Sequence, residues 1–143
     1  MRDIYKYLIL NNIGLIIQYH QNNLTYDGIK KLKLAIIKDK GFNPDFGFIV
    51  DCRKANIAMN IEELIEYGAW VAENLKLNGL KRIVLLTRTP AQVAKSTIYA
   101  LNEKIAPLNY QVFSTMEASL EWLHIDPVNT YRIEKEIRNL SEF

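Results

Sequence analysis

The chain contains one cysteine, four prolines and six glycines in 143 residues. A single thiol excludes an internal disulfide framework and any multi-cysteine metal site. So little proline and glycine excludes a collagen-like repeat and a low-complexity linker. Charge of one sign is also in short supply. The 18 Lys and Arg against 16 Asp and Glu leave a formal net charge of +2, too mild for a nucleic-acid-binding footprint. No run approaches the roughly 18 consecutive apolar residues that a membrane span needs. The start Met1-Arg2-Asp3-Ile4-Tyr5-Lys6 has neither a long apolar core nor a small-residue cleavage site. It therefore predicts no signal peptide, with cytoplasm as the simplest compartment. His20 and His124 are far apart and fit no metal-ligand spacing. There is no Gly-x-Gly-x-x-Gly, no P-loop and no internal repeat.

What is present is ordinary for a globular protein: 49% hydrophobic and 24% charged residues. The length argues for one domain with a core that needs no disulfide or metal staple. Residues 4–10 and 13–20, rich in aromatic and branched side chains, read as two strands joined at Asn11-Asn12, an antiparallel hairpin. Thr25 caps a helix in which Ile29, Leu32, Ile36 and Ile37 recur at helical spacing, and Gly41 offers a left-handed stop. Residues 46–51 form a short, nearly continuous apolar run, the pattern of a strand covered on both faces. Residues 52–59 read as a loop. Asn60 with Glu63 makes a capping box, stapled by Met59 and Leu64, for a helix to about Leu77 that Asn78-Gly79 ends. A buried-type strand spans 81–87. Thr89-Pro90-Ala91-Gln92 is the clearest helix start in the chain, for a helix to about Ile105 that Pro107 stops. A short fifth strand covers 110–113. Ser114 and Glu117 offer a cap for the next helix, and an amphipathic helix carrying Tyr131, Ile133, Ile137 and Leu140 closes the chain.

Strands alternating with helices predict a single-domain α/β protein: a mixed five-stranded sheet that starts with a hairpin and has helices packed on it. Residues 1–125 form this unit and residues 126–143 a helical tail, packed on the domain or on a second copy.

The layout and three local segments resemble the SpoIIAA-like group of the STAS superfamily, the sulfate transporter and anti-sigma factor antagonist domains. The segments are the hairpin before Leu24-Thr25-Tyr26-Asp27, the run Phe48-Ile49-Val50-Asp51-Cys52-Arg53-Lys54-Ala55, and the stretch Val112 to Leu123 with its Glu117-Ala118 and Trp122-Leu123. The resemblance spans roughly residues 5 to 123. It implies a mostly non-enzymatic domain that binds partner proteins and in some cases nucleotides or lipids. It also implies a phosphorylatable serine at the start of the helix after the third strand. Here that neighbourhood is Ala58-Met59-Asn60-Ile61. Asn60 can cap but cannot accept a phosphate, so the phosphoserine switch is not expected.

In open α/β sheets ligands bind beyond the carboxyl ends of the strands. Asp51, Cys52 and Arg53, then Thr87, Arg88 and Thr89, then Ser114 and Thr115 fall there. Two arginines beside helix starts suit an anion. The plainer alternative is that Asp51 pairs with Arg53 and the threonines only cap helices. Asp51 and Thr87 also resemble a response-regulator receiver, but the extra carboxylates and the lysine of that chemistry are missing, and one carboxylate holds a hard cation poorly. Cys52 beside Arg53 invites a thiolate, although single cysteines are mostly core residues. Lys30, Lys31, Lys33, Lys38 and Lys40 give the first helix a basic face, and Glu62, Glu63, Glu66 and Glu73 give the second an acidic one. That asymmetry suits steered protein association. Trp70 is a core residue or lines a ligand pocket. The expected role is a non-catalytic, cytoplasmic regulatory or protein-interaction module, with self-association or a protein partner. It is expected to use no metal, cofactor or nucleic acid. The alternative is a carrier of a small apolar or anionic ligand near Asp51, Arg53, Trp70, Thr87, Arg88 and Thr89.

Overall fold

A computed structural model describes residues 2–75, 82–101 and 109–141. Five strands form one sheet in the order β1-β2-β3-β4-β5: Ile4–Leu10, Leu15–Leu24, Gly47–Ile57, Arg82–Leu86 and Asn109–Phe113. β1 and β2 are antiparallel, and every later pair is parallel. The hairpin turn closes on Gly14, whose φ of +68° is a left-handed conformation that glycine adopts without strain. The helices are α1 (Tyr26–Lys38), α2 (Ile61–Leu75), α3 (Pro90–Ala100), α4 (Met116–Trp122) and α5 (Thr130–Ser141).

Sequential parallel strands step in one direction, so right-handed crossovers place their helices on one face. Accordingly Ile29, Leu32 and Ile36 of α1, Leu64, Tyr67 and Val71 of α2 and Tyr99 of α3 share a core with Ile16, Phe48, Val50 and Ile83 of the sheet. The opposite face carries Leu15, Ile17, Tyr19, Ile49, Val84 and Leu86 under Met116 and Leu120 of α4 and Ile133 and Ile137 of α5. The five-stranded mixed sheet with helices on it is the architecture expected from the alternation. The apolar stripe of the last helix is buried on its own sheet. Because the parallel strand order never reverses, the sheet has no topological switch point.

The caps at Thr25, at Asn60 with Glu63 and at Thr89 with Gln92 are formed as expected: Glu63 N donates to Asn60 Oδ1 at 2.8 Å and Asn60 N to Glu63 Oε1 at 3.1 Å. Four local readings are corrected. Residues 52–57 are strand rather than loop. The second strand begins at Leu15 and runs on to Leu24. α1 stops at Lys38 with Asp39 as its cap, and Gly41 has no positive φ. The cap of α4 is Thr115, whose side chain accepts from Ala118 N, rather than Ser114. The expected helix ends at Asn78-Gly79 and Pro107 lie outside the described residues.

Tyr5 locks β1 to the start of α1. Its hydroxyl donates to Asn23 O at 2.6 Å and accepts from Thr25 N at 2.9 Å, and its ring lies against Gly28. A Cβ at position 28 would meet Tyr5 Cζ at 2.4 Å. Gly28→Ala is therefore expected to lose about 1–3 kcal/mol despite the better helix propensity of alanine. Urea unfolding checks this, and a stabilised variant contradicts the contact.

Candidate functional site

β3 is longer than β4. Its pairing with β4 ends at Asp51–Leu86, while its pairing with β2 continues to Leu24–Ile57. The free edge beyond β4 is completed by side chains of α3 instead of a strand. Gln92 Nε2 donates to Arg53 O at 3.2 Å and Ala55 O at 2.9 Å, and Lys95 Nζ donates to Ile57 O at 2.7 Å. Backbone carbonyls in such a place need partners. The capping residue Gln92 meets this need while its Oε1 accepts from Arg88 N and Thr89 N.

The register against β2 shifts between Tyr19–Asp51 and Gln21–Lys54, so β3 carries one extra residue there. This bulge breaks the alternation of faces. Cys52 and Ala55, three apart, both enter the core under α1–α3. Arg53 and Lys54, adjacent in sequence, both line a pocket of about 220 Å³ on the α5 side.

Arg53 is the centre of that pocket. Its Nε and Nη2 donate to the two oxygens of Asp51 at 3.0 and 2.9 Å, and its Nη1 and Nη2 donate to the two oxygens of Glu134 at 2.9 and 2.7 Å. The Arg53 amide also donates to Asp51 Oδ1 at 3.0 Å. The Asp51 side chain is 2% exposed, that of Arg53 14% and that of Glu134 29%. Burial by itself would lower the Arg53 guanidinium, but the hydrogen bonds and charges of Glu134 and Asp51 outweigh it and raise the guanidinium above its ordinary value. The Arg53 hydrogen bonds hold the Glu134 carboxyl below the usual range against its partial burial, helped by the charges of Arg53, Arg138 and Arg88. Bidentate arginine–carboxylate pairs are among the stronger polar contacts, so this clamp fastens α5 to β3.

Of the residues singled out in the sequence, Asp51, Arg53 and Arg88 come together here. Arg53 has its donors occupied by carboxylates, whereas Arg88 is exposed. Thr87 is buried, its hydroxyl donating to Phe113 O at 3.1 Å. Thr89 is the α3 cap. Trp70 lies elsewhere, stacked on Tyr67 with ring centroids 5.9 Å apart. It ends an aromatic series in which Tyr67 also meets Tyr26 and Tyr99, and Tyr99 meets Tyr110. The charged pocket residues missed in the sequence are Lys54, Glu134 and Arg138. The tail's charge pattern marked it only as amphipathic, and no local signal ties residue 134 to residue 53.

Two further readings are corrected. Cys52 is buried and its thiol is pushed up to about 12 by burial and by Asp51, against the opposing charge of Lys33. That is the reverse of an activated thiolate. Lys33 does not belong to the basic outer face of α1. It is 1% exposed, with Nζ 4.1 Å from the centre of the Phe48 ring. It lines a void of about 40 Å³ under α1–α3 together with Cys52, Tyr67 and Tyr99. Among the described residues no group of three His, Cys, Asp or Glu side chains could hold a metal ion, and no helix is long and apolar enough to cross a membrane.

His20 is a second buried polar group on the α1 face. Its Nε2 is 2.7 Å from Gln18 Nε2, while His20 Nδ1 and Gln18 Oε1 find no partner. Burial, with the charge of Lys33, lowers its pKa from 6.5 to about 3. The folded state therefore resists a proton that the unfolded chain accepts. Stability from this group is full above pH 6.5 and is lost as pH falls toward 3, at about 1.4 kcal/mol per pH unit. Urea midpoints from pH 7 to 4 for wild type and His20→Gln check this: the difference between them is expected to shrink or reverse in acid, and parallel profiles contradict it.

No family model and no curated protein matches the chain. Among solved structures it is similar to an uncharacterised protein of the DUF3478 family with a SpoIIAA-like fold from Shewanella loihica PV-4. The TM-score is 0.54 at 11% identity, and the match covers 85% of this chain and 93% of that one. The fold is SpoIIAA-like, as the sequence resemblance implied.

Proposed function

We propose that the chain is a non-catalytic regulatory module acting in the cytoplasm through protein contacts, without a phosphoserine switch. The observation that carries this reading is the outer surface of the neighbouring helices α2 and α3. Ile61 is 58% and Ile65 44% exposed, one turn apart on α2, and Ile98 is 40% and Leu101 76% exposed at the end of α3. Exposed large apolar side chains on adjacent helices are what a partner surface covers. Glu62 and Glu66 beside the α2 pair would steer a basic partner. Asn60 fills the helix-cap position where the resemblance places the serine, and its side chain is engaged with Glu63. The reading as a non-enzyme is supported by the site chemistry, in which a raised, buried thiol and a carboxylate–arginine clamp offer no nucleophile with its base. The void of about 40 Å³ under the helices is far below the roughly 300 Å³ that a carrier of an apolar ligand would need there.

The test is affinity purification from the source cells with wild type and with Ile65→Glu/Ile98→Glu, both folded by circular dichroism. A partner, including a second copy, that binds wild type at a defined stoichiometry and not the variant supports the reading. Identical captured sets overturn it.

A further inference from the structure

We propose that the pocket between β3 and α5 binds a small, soluble phosphate monoester through Lys54, Arg88 and Arg138. This goes beyond the protein-contact reading and does not rest on it. The pocket is lined by four cations, Arg53, Lys54, Arg88 and Arg138, and two carboxylates, Asp51 and Glu134. Its local excess of +2 equals the net charge of the entire chain. Arg53 and the two carboxylates satisfy one another through four side-chain hydrogen bonds. The other three cations have no such partner: among the described residues no side chain accepts a hydrogen bond from, or forms an ion pair with, the Lys54 ammonium or the Arg88 and Arg138 guanidinium groups. They come from three separate elements, β3, the segment after β4, and α5, and converge on one concavity. Arg88 and Arg138 stand close enough to add their charges to the Arg53 hydrogen bonds that hold the Glu134 carboxyl low, yet make no salt bridge to it.

A phosphate monoester carries about −1.5 to −2 at neutral pH and presents three acceptor oxygens. That matches three free cationic side chains and an excess of +2. Arginine forks suit phosphate oxygens in particular. The volume of about 220 Å³, below the roughly 300–1,000 Å³ of sites for drug-sized ligands, suits a phosphoryl group on a short carbon skeleton. Ile137 provides an apolar wall for that skeleton. Asp51 and Glu134 do not repel the ligand outright, because Arg53 bridges them.

Isothermal titration at low ionic strength with ribose 5-phosphate, glycerol 3-phosphate and inorganic phosphate tests this on the full chain. At least one sugar or polyol phosphate is expected to bind saturably at one site and more tightly than inorganic phosphate. Arg88→Gln/Arg138→Gln, at exposed positions, is expected to weaken it at least about tenfold. Lys31→Gln on the outer face of α1 is expected to leave it unchanged. Amide shifts on binding are expected at Arg53, Lys54 and Ser141. The proposal is overturned by no saturable binding, by undiminished binding in the double variant, by inorganic phosphate binding as tightly as the esters, or by binding only to phosphatidic acid vesicles.

Discussion

Replacing Lys33 with methionine is expected to stabilise the protein at pH 7 by about 1–4 kcal/mol, the range seen when buried ion pairs give way to apolar side chains of similar size. Lys33 is 1% exposed and its Nζ faces the Phe48 ring, with no carboxylate as partner among the described residues. A cation–π contact offers about 0.5–2 kcal/mol, less than the several kcal/mol needed to desolvate an ammonium. The nearby polar groups, His20 of β2 and Cys52 of β3, are themselves held neutral by burial. Burial consequently lowers the Lys33 ammonium from 10.5 to about 7, with Cys52 opposing it slightly.

The sign of the pH dependence follows. Between pH 7 and 10.5 the unfolded chain holds a proton on this lysine that the folded chain has released. Stability from this group is thus full above 10.5 and falls by about 1.4 kcal/mol per pH unit as pH drops toward 7. Burial also raises the pKa values of Tyr67, Tyr99 and Tyr110, which destabilises the protein near the top of that window. The informative quantity is therefore the difference between wild type and Lys33→Met. Urea unfolding at pH 7, 8 and 9 is expected to show the variant's advantage shrinking by about 1.4 kcal/mol per step. A variant less stable than wild type, with a parallel profile, would show that Lys33 reaches solvent or a partner in solution.

Arg53→Ala is expected to cost about 3–5 kcal/mol, the range for removing one member of a buried ion pair. The loss is larger than a surface pair would give because Asp51, at 2% exposure, has no solvent to turn to. Hydrogen exchange at Ile133 and Ile137 is expected to speed up more than exchange in β4, because the clamp ties α5 to the sheet. Adding Asp51→Asn is expected to recover part of the loss by removing the stranded charge. The clamp also has an acid signature. Glu134 has a lowered pKa, so its contribution is present above the ordinary carboxylate value and is lost as pH falls through the lowered one. Wild type is expected to lose this increment in acid and Arg53→Ala to have none to lose. Stability of Arg53→Ala within 1 kcal/mol of wild type would refute the clamp's role.

Local rules carried much of the fold. Period and propensity mark the strands, Thr25, Asn60 and Thr89 mark three helix starts, and the alternation of elements marks the parallel sheet. These signals lie within a few residues of one another, where backbone sterics and capping hydrogen bonds act. The site was legible only in part. Asp51 and Arg53 stand where β3 outruns β4 and Arg88 follows β4, close to where the sequence pointed, but their roles were assigned by neighbours far along the chain. The bulge opposite His20 placed Arg53 and Lys54 on one side and hid the second half of β3, since an extra residue destroys the two-residue period that identifies a strand. Lys33 reads as one more surface lysine because helical periodicity tolerates a polar residue at the edge of an apolar stripe. Only the packing of α1 over Phe48 decided that it is buried. The sequence by itself determined most of the strand and helix segments and how they alternate. The tertiary structure alone decided that α5 packs against β1 and β2 and reaches β3 through Glu134 on Arg53, with Arg138 and Arg88 lining one pocket, because contacts between residues many positions apart are selected by shape and charge and leave no periodic trace in the chain.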